Sequence, residues 1–288
     1  MGKDYPTFKF SHMMGKIVLT VTGFLITFVL LYPPLYVILS SIVSGQTLIT
    51  SVWDIIERGF SLEHYVAAVT DPRFLTATLI SIVVALVSIA VAVIVITPAA
   101  YAFSRFTFRG KDSLLLMYLL LSQVGGGFGI AAVIALYVFL LKLNTAGLPV
   151  IGNPLILPLI YTAGAVPFQT WLIKNYFDSM PRSLDEAAFI DGAGWRDVIF
   201  RVILPASKPA LIIIAMFAFM GAWGEFIIAS FLRVESLAAY IYETATGQTI
   251  YWGDFAARTL LFAIPLILLY AFSQRYIGEA MRYGAGKL

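Results

Sequence analysis

The sequence contains no cysteine, only two histidines and few charged residues. Charged residues make up 12% and hydrophobic residues 60% of its 288 positions, whereas about a quarter of the residues of an average soluble protein are charged. The absence of cysteine excludes disulfides and cysteine-ligated metals. His12 and His64 are too few for a histidine zinc site or a histidine-activated nucleophile. Because a soluble fold would leave large apolar patches exposed, the composition indicates an integral membrane protein.

The sequence also lacks a P-loop, the motif that binds the phosphates of ATP. That motif requires a glycine separated by four residues from a Gly-Lys pair, which Ser or Thr then follows. Around Gly286-Lys287 those two positions are occupied by Met281 and Leu288. We therefore expect no ATP hydrolysis by that route and no catalytic residues, so the residue inventory predicts a protein that is not an enzyme.

Six apolar segments are long enough to cross a bilayer, which takes a helix of about 20 mostly apolar residues. We find no linker, internal repeat or soluble domain, so residues 1–288 are expected to form one all-α membrane domain. The predicted spans are residues 17–44, 75–103, 113–141, 154–177, 208–231 and 257–278.

The distribution of basic residues predicts how these spans are oriented. Six spans place both termini on one side of the membrane, together with the loop between the fourth and fifth spans. That side carries 14 of the 19 lysines and arginines, and the other side carries Arg58, Arg73, Lys142, Arg233 and Arg258. Since basic residues accumulate in cytoplasmic loops, both termini are expected to be cytoplasmic. The external loops are then residues 45–74, 142–153 and 232–256.

The densest charge in the chain lies at residues 182–205, in the predicted cytoplasmic loop. Ser183 stands three positions before Glu186, which is the spacing of a capping box, so a helix is expected to begin just after Ser183. Gly192 and Gly194 interrupt that helix. A second helix is expected beyond them, because apolar residues recur at helical spacing at Trp195, Val198, Ile199 and Val202.

Two kinds of surface compete for this segment, lipid headgroups and a cytoplasmic protein. A helix that rests on anionic lipid favours Lys and Arg on its polar face. Acids and bases are balanced here, with Asp185, Glu186, Asp191 and Asp197 against Arg182, Arg196 and Arg201. The balance favours a protein surface that carries charges of its own.

The same segment resembles the EAA loop of the membrane subunits of binding-protein-dependent ABC importers. The resemblance is carried by Glu186-Ala187-Ala188, Asp191-Gly192-Ala193, Val202 and Leu204-Pro205, with Val202 where the family usually has Ile. Two further stretches are similar to the carbohydrate importers, Tyr101-Ala102-Phe103-Ser104-Arg105 and Ala222-Trp223-Gly224-Glu225-Phe226, although Gly224 departs from the usual Asn. Together they resemble the smaller permease subunit of maltose-type sugar importers.

The resemblance implies a permease subunit of an ATP-driven importer in the plasma (inner) membrane of a prokaryote. Its expected partners are a second homologous permease, two ATP-hydrolysing subunits, an extracytoplasmic solute-binding protein and membrane lipid, but no nucleic acid. No cofactor or metal is expected on this chain, since the partner ATPases use ATP and Mg. In that family the EAA helix lies in a groove of the ATPase, which assigns coupling to Glu186, Ala187, Ala188, Asp191, Gly192, Leu204 and Pro205.

Two acidic residues each have two interpretations. Glu186 caps its own helix or pairs with a basic residue of the ATPase, and these roles do not exclude each other. Glu225 is the clearest charge within a predicted span. It either lines the pathway or pairs across a subunit boundary, or else it lies near the headgroups or caps a neighbouring helix.

The remaining candidate residues concern the cargo. The candidates for the translocation pathway are Gln123, Tyr161, Gln169, Trp223 and Glu225, although helix packing explains such side chains as well. The external loop at 232–256 is either a plain connection or a contact for the binding protein through Thr246, Gly247 and Gln248. A sugar or oligosaccharide is the expected cargo. The alternatives are a polyol, a phosphosugar or an opine, and a stand-alone secondary carrier is less favoured.

Overall fold

The structure is a computed structural model that describes the backbone of residues 7–127 and 129–285 and the side chains of residues 14–122 and 130–276. In this part of the chain the regular elements are helices, and one isolated antiparallel bridge joins Val43 to Phe60. The predicted all-α class is therefore confirmed. The chain divides into two compact units, residues 1–70 with 248–261 and residues 71–247 with 262–288.

Seven of the helices precede the charged segment. They are α1 (Thr7–Ile42), α2 (Val52–Arg58), α3 (Glu63–Thr70), α4 (Pro72–Arg105), α5 (Lys111–Gly127), α6 (Gly129–Thr145) and α7 (Leu157–Ser179), the last preceded by a 3-10 turn at Pro154–Ile156.

The remaining helices begin with the short helices of the charged segment and end with a long helix. They are α8 (Ser183–Ile190), α9 (Trp195–Asp197), a π-helical stretch at Val198–Ile203, α10 (Leu204–Ala206), α11 (Lys208–Gly224), α12 (Ile227–Phe231), α13 (Leu237–Thr246) and α14 (Trp252–Ala285).

In the first unit, α2 begins at a complete capping box. The Ser51 hydroxyl accepts a hydrogen bond from the Asp54 N–H, and the Asp54 carboxylate accepts one from the Ser51 N–H. Hydrogen bonds from the N–H and hydroxyl of Thr50, and then from the Ser51 N–H, lower the pKa of Asp54 to about 2. Because the carboxylate stays ionised down to that pH, this cap persists through the acidic range.

The second unit is built on the contact between α4 and α7. Small residues on one face of α4 allow the two backbones to approach closely. The core at one end of this helix pair also includes residues of α8, of the π-helical stretch and of α11. Its members are Ala92, Ile96, Ala100, Tyr101, Ile173, Phe177, Ala188, Val198, Ile203, Ala210, Ile214 and Ala218. The charged segment is therefore part of the core rather than a loose loop.

At the other end of α4, the helix α13 is held by polar contacts. Tyr240 donates a hydrogen bond to Asp71 Oδ2 over 2.6 Å, and the Leu237 N–H donates one to Ser81 Oγ over 2.7 Å. Arg73 also forms ion pairs with Glu235 and Glu243. The predicted loop at 232–256 thus contains an anchored helix.

Four of the described helices are long and apolar enough to cross a membrane. They are Met14–Ile42, Pro72–Arg105, Pro154–Ser179 and Trp252–Tyr276, and they correspond to the first, second, fourth and sixth predicted spans. The third predicted span, 113–141, corresponds to α5 and α6, two helices of 17 residues each. Phe128 between them is outside the described residues.

The fifth predicted span, 208–231, is wrong at its carboxyl end. The helix α11 stops at Gly224, and Glu225 is extended, with φ −80° and ψ 124°. Glycine is a poor helix former, and the Glu225 carboxylate accepts backbone hydrogen bonds of the next short helix instead of continuing α11. The stretch Trp195–Ala206 meets α11 at 88°, so those two helices form a corner.

Gly253, in the first turn of α14, offers a test of the packing in the first unit. A β-carbon on this residue would lie 2.2 Å from Nε2 of the buried His64 ring. We expect Gly253→Ala to lower the free energy of unfolding by about 1–3 kcal/mol, because the ring is held on both nitrogens and cannot move aside. Thermal unfolding of the purified protein in detergent measures the loss.

Gly221→Ala is the matched control for this prediction. Gly221 lies within α11, and a β-carbon on this residue would displace nothing, since the space within 4 Å of its position is open. Alanine there should be neutral or stabilising, since glycine costs a helix interior about 1 kcal/mol relative to alanine. Equal effects of the two substitutions would contradict the close contact at His64.

Candidate functional site

The helix α8 begins without the predicted capping box. Arg182 is at the N-cap in a helical conformation, with φ −66° and ψ −20°, and no side chain caps the helix. The N–H groups of Asp185 and Glu186 bond instead to the carbonyl oxygen of Arg182, over 3.0 and 3.1 Å. Because the chain is already helical at Arg182, Ser183 lies inside the first turn, where its hydroxyl cannot act as the cap. The capping box was therefore a wrong prediction.

The carboxyl end of α8 is a Schellman motif centred on Gly192. The Gly192 N–H bonds to the carbonyl of Phe189 and the Ala193 N–H to that of Ala188, each over 3.0 Å. Gly192 has φ +83°, a left-handed conformation that favours glycine. This glycine produces the bend between α8 and α9.

Asp185 fixes α8 to the end of α4. Its Oδ1 accepts a hydrogen bond from the Tyr101 hydroxyl over 2.7 Å, and its Oδ2 lies 2.9 Å from Arg105 Nε as an ion pair, without the alignment of a hydrogen bond. The side chains of Arg105 and Asp185 are only 8% and 9% exposed. We call Tyr101, Arg105 and Asp185 the anchor. All three residues belong to motifs or charged stretches that the sequence singles out, but no sequence pattern pairs them.

Arg105 also forms hydrogen bonds with the carboxyl end of α7. Its two terminal nitrogens donate to the carbonyl oxygens of Phe177 and Met180, over 3.1 and 3.3 Å. Beside it, Ser104 donates to Asp178 Oδ1 over 2.7 Å, and Lys174 Nζ lies 2.6 Å from Asp178 Oδ2. The ends of α4 and α7 and the start of α8 therefore form one polar junction.

Aromatic rings surround this junction on the side of the bend. The ring of Trp195 lies 4.5 Å from that of Phe189 and 4.7 Å from that of Phe106, measured between centroids. A cavity of about 160 Å³ lies between these rings, the anchor, Arg182 and Glu186. The rings hold α9 against α8, so the angle at Gly192 is supported from both sides.

The outer face of α8 carries exposed apolar residues and one exposed acidic residue, Glu186. Leu184, Ala187 and Ile190 are exposed, and Ile190 is 86% accessible. Glu186 is exposed too, and among the described side chains it has no hydrogen bond or ion pair. The capping interpretation of Glu186 is therefore wrong, since its carboxylate caps neither its own helix nor another helix end in the described part of the chain.

The other predicted coupling residues are divided between the two faces. Ala188 is buried in the core of the second unit, whereas Asp191, Gly192 and Pro205 are exposed and Leu204 is half-buried. The exposed apolar residue Ile190 was not singled out in the sequence. Its spacing of three from Ala187 was the signal that could have found it.

Among the candidate pathway residues, the structure brings Tyr161 and Glu225 together. The Tyr161 hydroxyl donates to Glu225 Oε2 over 2.7 Å. The N–H groups of Ile228 and Ala229 donate to the same carboxylate over 2.7 and 3.2 Å. Glu225 thus caps the short helix α12, which agrees with the helix-capping interpretation of this residue.

The remaining candidates lie apart from that pair. Trp223 is 1% exposed, donates to the carbonyl of Phe262 over 3.0 Å and stacks on Phe219 and Phe262, so it is a packing residue. Gln169 is buried in α7. The side chain of Gln123 is outside the described residues. Thr246 ends α13, and Gly247 and Gln248 follow it in exposed positions.

Comparison with known proteins gives a consistent set of relatives. The family described as "Binding-protein-dependent transport system inner membrane component" matches residues 113–283, which include α8 and its bend. The maltodextrin transport system permease protein MalD of Streptococcus pneumoniae is 29% identical over 91% of this chain and 92% of its own length. The galactooligosaccharides transport system permease protein GanQ of Bacillus subtilis is 30% identical over 90% and 91%.

A solved structure also shares the fold. It is a bacterial ABC transporter involved in the import of the acidic polysaccharide alginate, and one of its chains aligns with a TM-score of 0.71 at 20% sequence identity. The alignment covers 96% of this chain and 99% of that chain.

The anchor predicts a large loss of stability when its carboxylate is neutralised. Asp185→Asn keeps the size of the side chain but leaves the buried Arg105 guanidinium without its counter-charge. We expect the free energy of unfolding to fall by about 3 kcal/mol, measured by thermal or chemical unfolding in detergent. Asp197→Asn is the matched control, because Asp197 pairs with Arg201 at the surface, where the side chains are 44% and 81% exposed.

The control substitution should cost less than about 1 kcal/mol, since exposed ion pairs contribute little. A loss for Asp185→Asn no larger than that for Asp197→Asn would show that the anchor does not hold α8 in place.

Proposed function

Since this chain belongs to the family of inner membrane components of binding-protein-dependent transport systems, we propose that it is one half of the translocation pathway of an ATP-driven sugar importer. The family and its relatives are permeases, so the chain is a transport component rather than an enzyme. The observation that carries the proposal is the geometry of α8. The exposed apolar face of α8, where Glu186 has no partner among the described side chains, is joined to α4 and α7 by the buried anchor.

The proposed topology has six spans with both termini in the cytoplasm. Four long apolar helices support it directly, and the pair α5–α6 and the helix α11 supply the apolar segments for the other two. The excess of lysine and arginine on the side of α8 supports the orientation. In this topology α8 faces the cytoplasm of a prokaryotic cell, and α2, α3 and α13 face outward.

The proposed coupling role uses both faces of α8. Leu184, Ala187 and Ile190 would enter a groove of an ATP-hydrolysing subunit, and Glu186 would pair with a basic residue on its rim. The inner face, with Asp185 and Ala188, passes the resulting displacement to α4 and α7. Two such ATPases and a second homologous permease complete the proposed assembly, and ATP and Mg bind to the ATPases only.

The cargo proposal is a sugar or oligosaccharide delivered by an extracytoplasmic binding protein. The relatives are named for maltodextrin and galactooligosaccharides, and they are similarly related to this chain, so they support the class and not one sugar. We place the pair Tyr161–Glu225 on the pathway, since it lies at the break between α11 and α12. Thr246, Gly247 and Gln248 are proposed to contact the binding protein.

Charge reversal at Glu186 tests the coupling role. We expect Glu186→Arg to reduce ATP-driven uptake by about tenfold or more in proteoliposomes that hold the complete transporter. The folded chain should be retained, because Glu186 has no partner within its described part. Glu57→Arg is the matched control, since Glu57 is exposed in α2, on the opposite side of the proposed membrane.

Reversal of a basic residue in the ATPase groove should restore uptake to Glu186→Arg. If none of the reversed ATPases rescues it, or if Glu57→Arg is equally damaging, the pairing of Glu186 with the ATPase is wrong.

An importer subunit and a stand-alone carrier differ in the uptake expected from the isolated chain. We expect uptake of labelled oligosaccharide only when the second permease, the ATPases and the binding protein are present with ATP, because this sequence has no P-loop. Uptake by the chain alone in liposomes would contradict the importer. Competition by unlabelled sugars, polyols, phosphosugars and opines then identifies the cargo class.

A further inference from the structure

The ring of His64 is completely buried in the first unit and faces two hydrogen-bond acceptors. Its Nε2 lies 3.0 Å from the carbonyl oxygen of Val43, and its Nδ1 lies 2.8 Å from Oδ1 of Asp254. Three stretches that are distant in the sequence therefore meet at one imidazole. They are the residue after α1, the helix α3 and the first turn of α14.

The two acceptors determine how many protons the site holds. A backbone carbonyl only accepts hydrogen bonds, so the contact with Val43 is a hydrogen bond only when Nε2 carries a proton. The contact between Nδ1 and the carboxylate oxygen needs a second proton between its two atoms. Both contacts are hydrogen bonds at the same time only when the His64–Asp254 pair holds one proton more than a neutral histidine beside a carboxylate does.

The surrounding groups favour placing both protons on the ring. Gln46 Nε2 donates to the same Oδ1 of Asp254 over 3.0 Å, so that oxygen accepts two hydrogen bonds as an ionised carboxylate would. Glu63 Oε1 lies 3.7 Å from Nε2 and is itself fixed by the Gly45 N–H. An imidazolium here faces one carboxylate from α3 and one from α14, with Arg258 one turn further along α14.

We propose that His64 is a pH-dependent lock that holds the start of α14 to the segment after α1. A neutral ring carries one N–H, so after loss of a proton a nitrogen lone pair faces either the Val43 carbonyl or the Asp254 carboxylate, and one of the two attractions becomes a repulsion. Protonation of the pair closes the lock, and loss of that proton opens it.

The side of the membrane whose pH controls the lock follows from the topology given under the proposed function, so this part of the inference rests on that proposal. In the proposed topology His64 lies in an external loop of the chain, so acid outside the cell closes the lock. The lock itself depends only on contacts within the first unit.

A single cysteine can report on the lock, because the natural chain has none. Ala257→Cys places a thiol in α14 at a completely buried position, one turn beyond Asp254. The assembled transporter is treated with a thiol reagent across about pH 5 to 8, and labelling of this chain is read on a gel. The same measurement with His64→Gln added corrects for the pH dependence of the thiol, since glutamine keeps an N–H for Val43 and does not titrate.

With His64 present, we expect labelling at acidic pH to be about tenfold slower than in the His64→Gln variant, and the two rates to converge at alkaline pH. A ratio that stays constant across the range would overturn the proposal. If His64→Gln fails to assemble, Asp254→Asn takes its place, and pH-dependent protection that survives in Asp254→Asn would overturn it equally.

A reagent that cannot cross the membrane separates this proposal from the proposed topology. Added to intact cells, it should label the cysteine at alkaline pH. Labelling only from the cytoplasmic side would refute the topology, while the pH-dependent ratio would still establish the lock.

Discussion

A buried carboxylate and a buried guanidinium cannot part without leaving a charge stranded in an apolar environment, and the second unit depends on that constraint. Asp185 and Arg105 are both nearly excluded from water, and they belong to helices about eighty positions apart in the sequence. Arg105 also bonds to the end of α7. One charged contact therefore fixes the relative positions of α4, α7 and α8, and the aromatic rings around Trp195 fill the space beside it.

The anchor makes α8 more stable and more rigid than its length of eight residues would allow. An isolated helix of eight residues is not stable in water, so α8 depends on its packed inner face and on the Schellman motif at Gly192. A force applied to its outer face passes into the long helices through buried, close-packed contacts, which deform little. This is the property that a coupling element between an ATPase and a permease requires.

Much of the architecture could be predicted from the sequence, because apolar length and the charge pattern are local signals. Four long apolar helices, the bend at Gly192 and the balanced charges of the segment 182–205 follow from them. The anchor could not be predicted, since no local pattern pairs Arg105 with Asp185. The capping box failed because the spacing of Ser183 and Glu186 does not reveal that Arg182 is already helical. Glu225 was assigned to a span because hydropathy ignores a carboxylate that caps the next helix.

The division of α8 between two faces has a consequence for how its sequence can change. Inward positions such as Asp185 and Ala188 are limited by the core of this chain, and outward positions such as Glu186 and Ala187 would be limited by the partner that covers them. Gly192 is limited by its own backbone angle. Few positions of α8 and its bend are therefore expected to vary freely. Drift in the ATPase groove would then have to be matched by substitutions on the outer face alone.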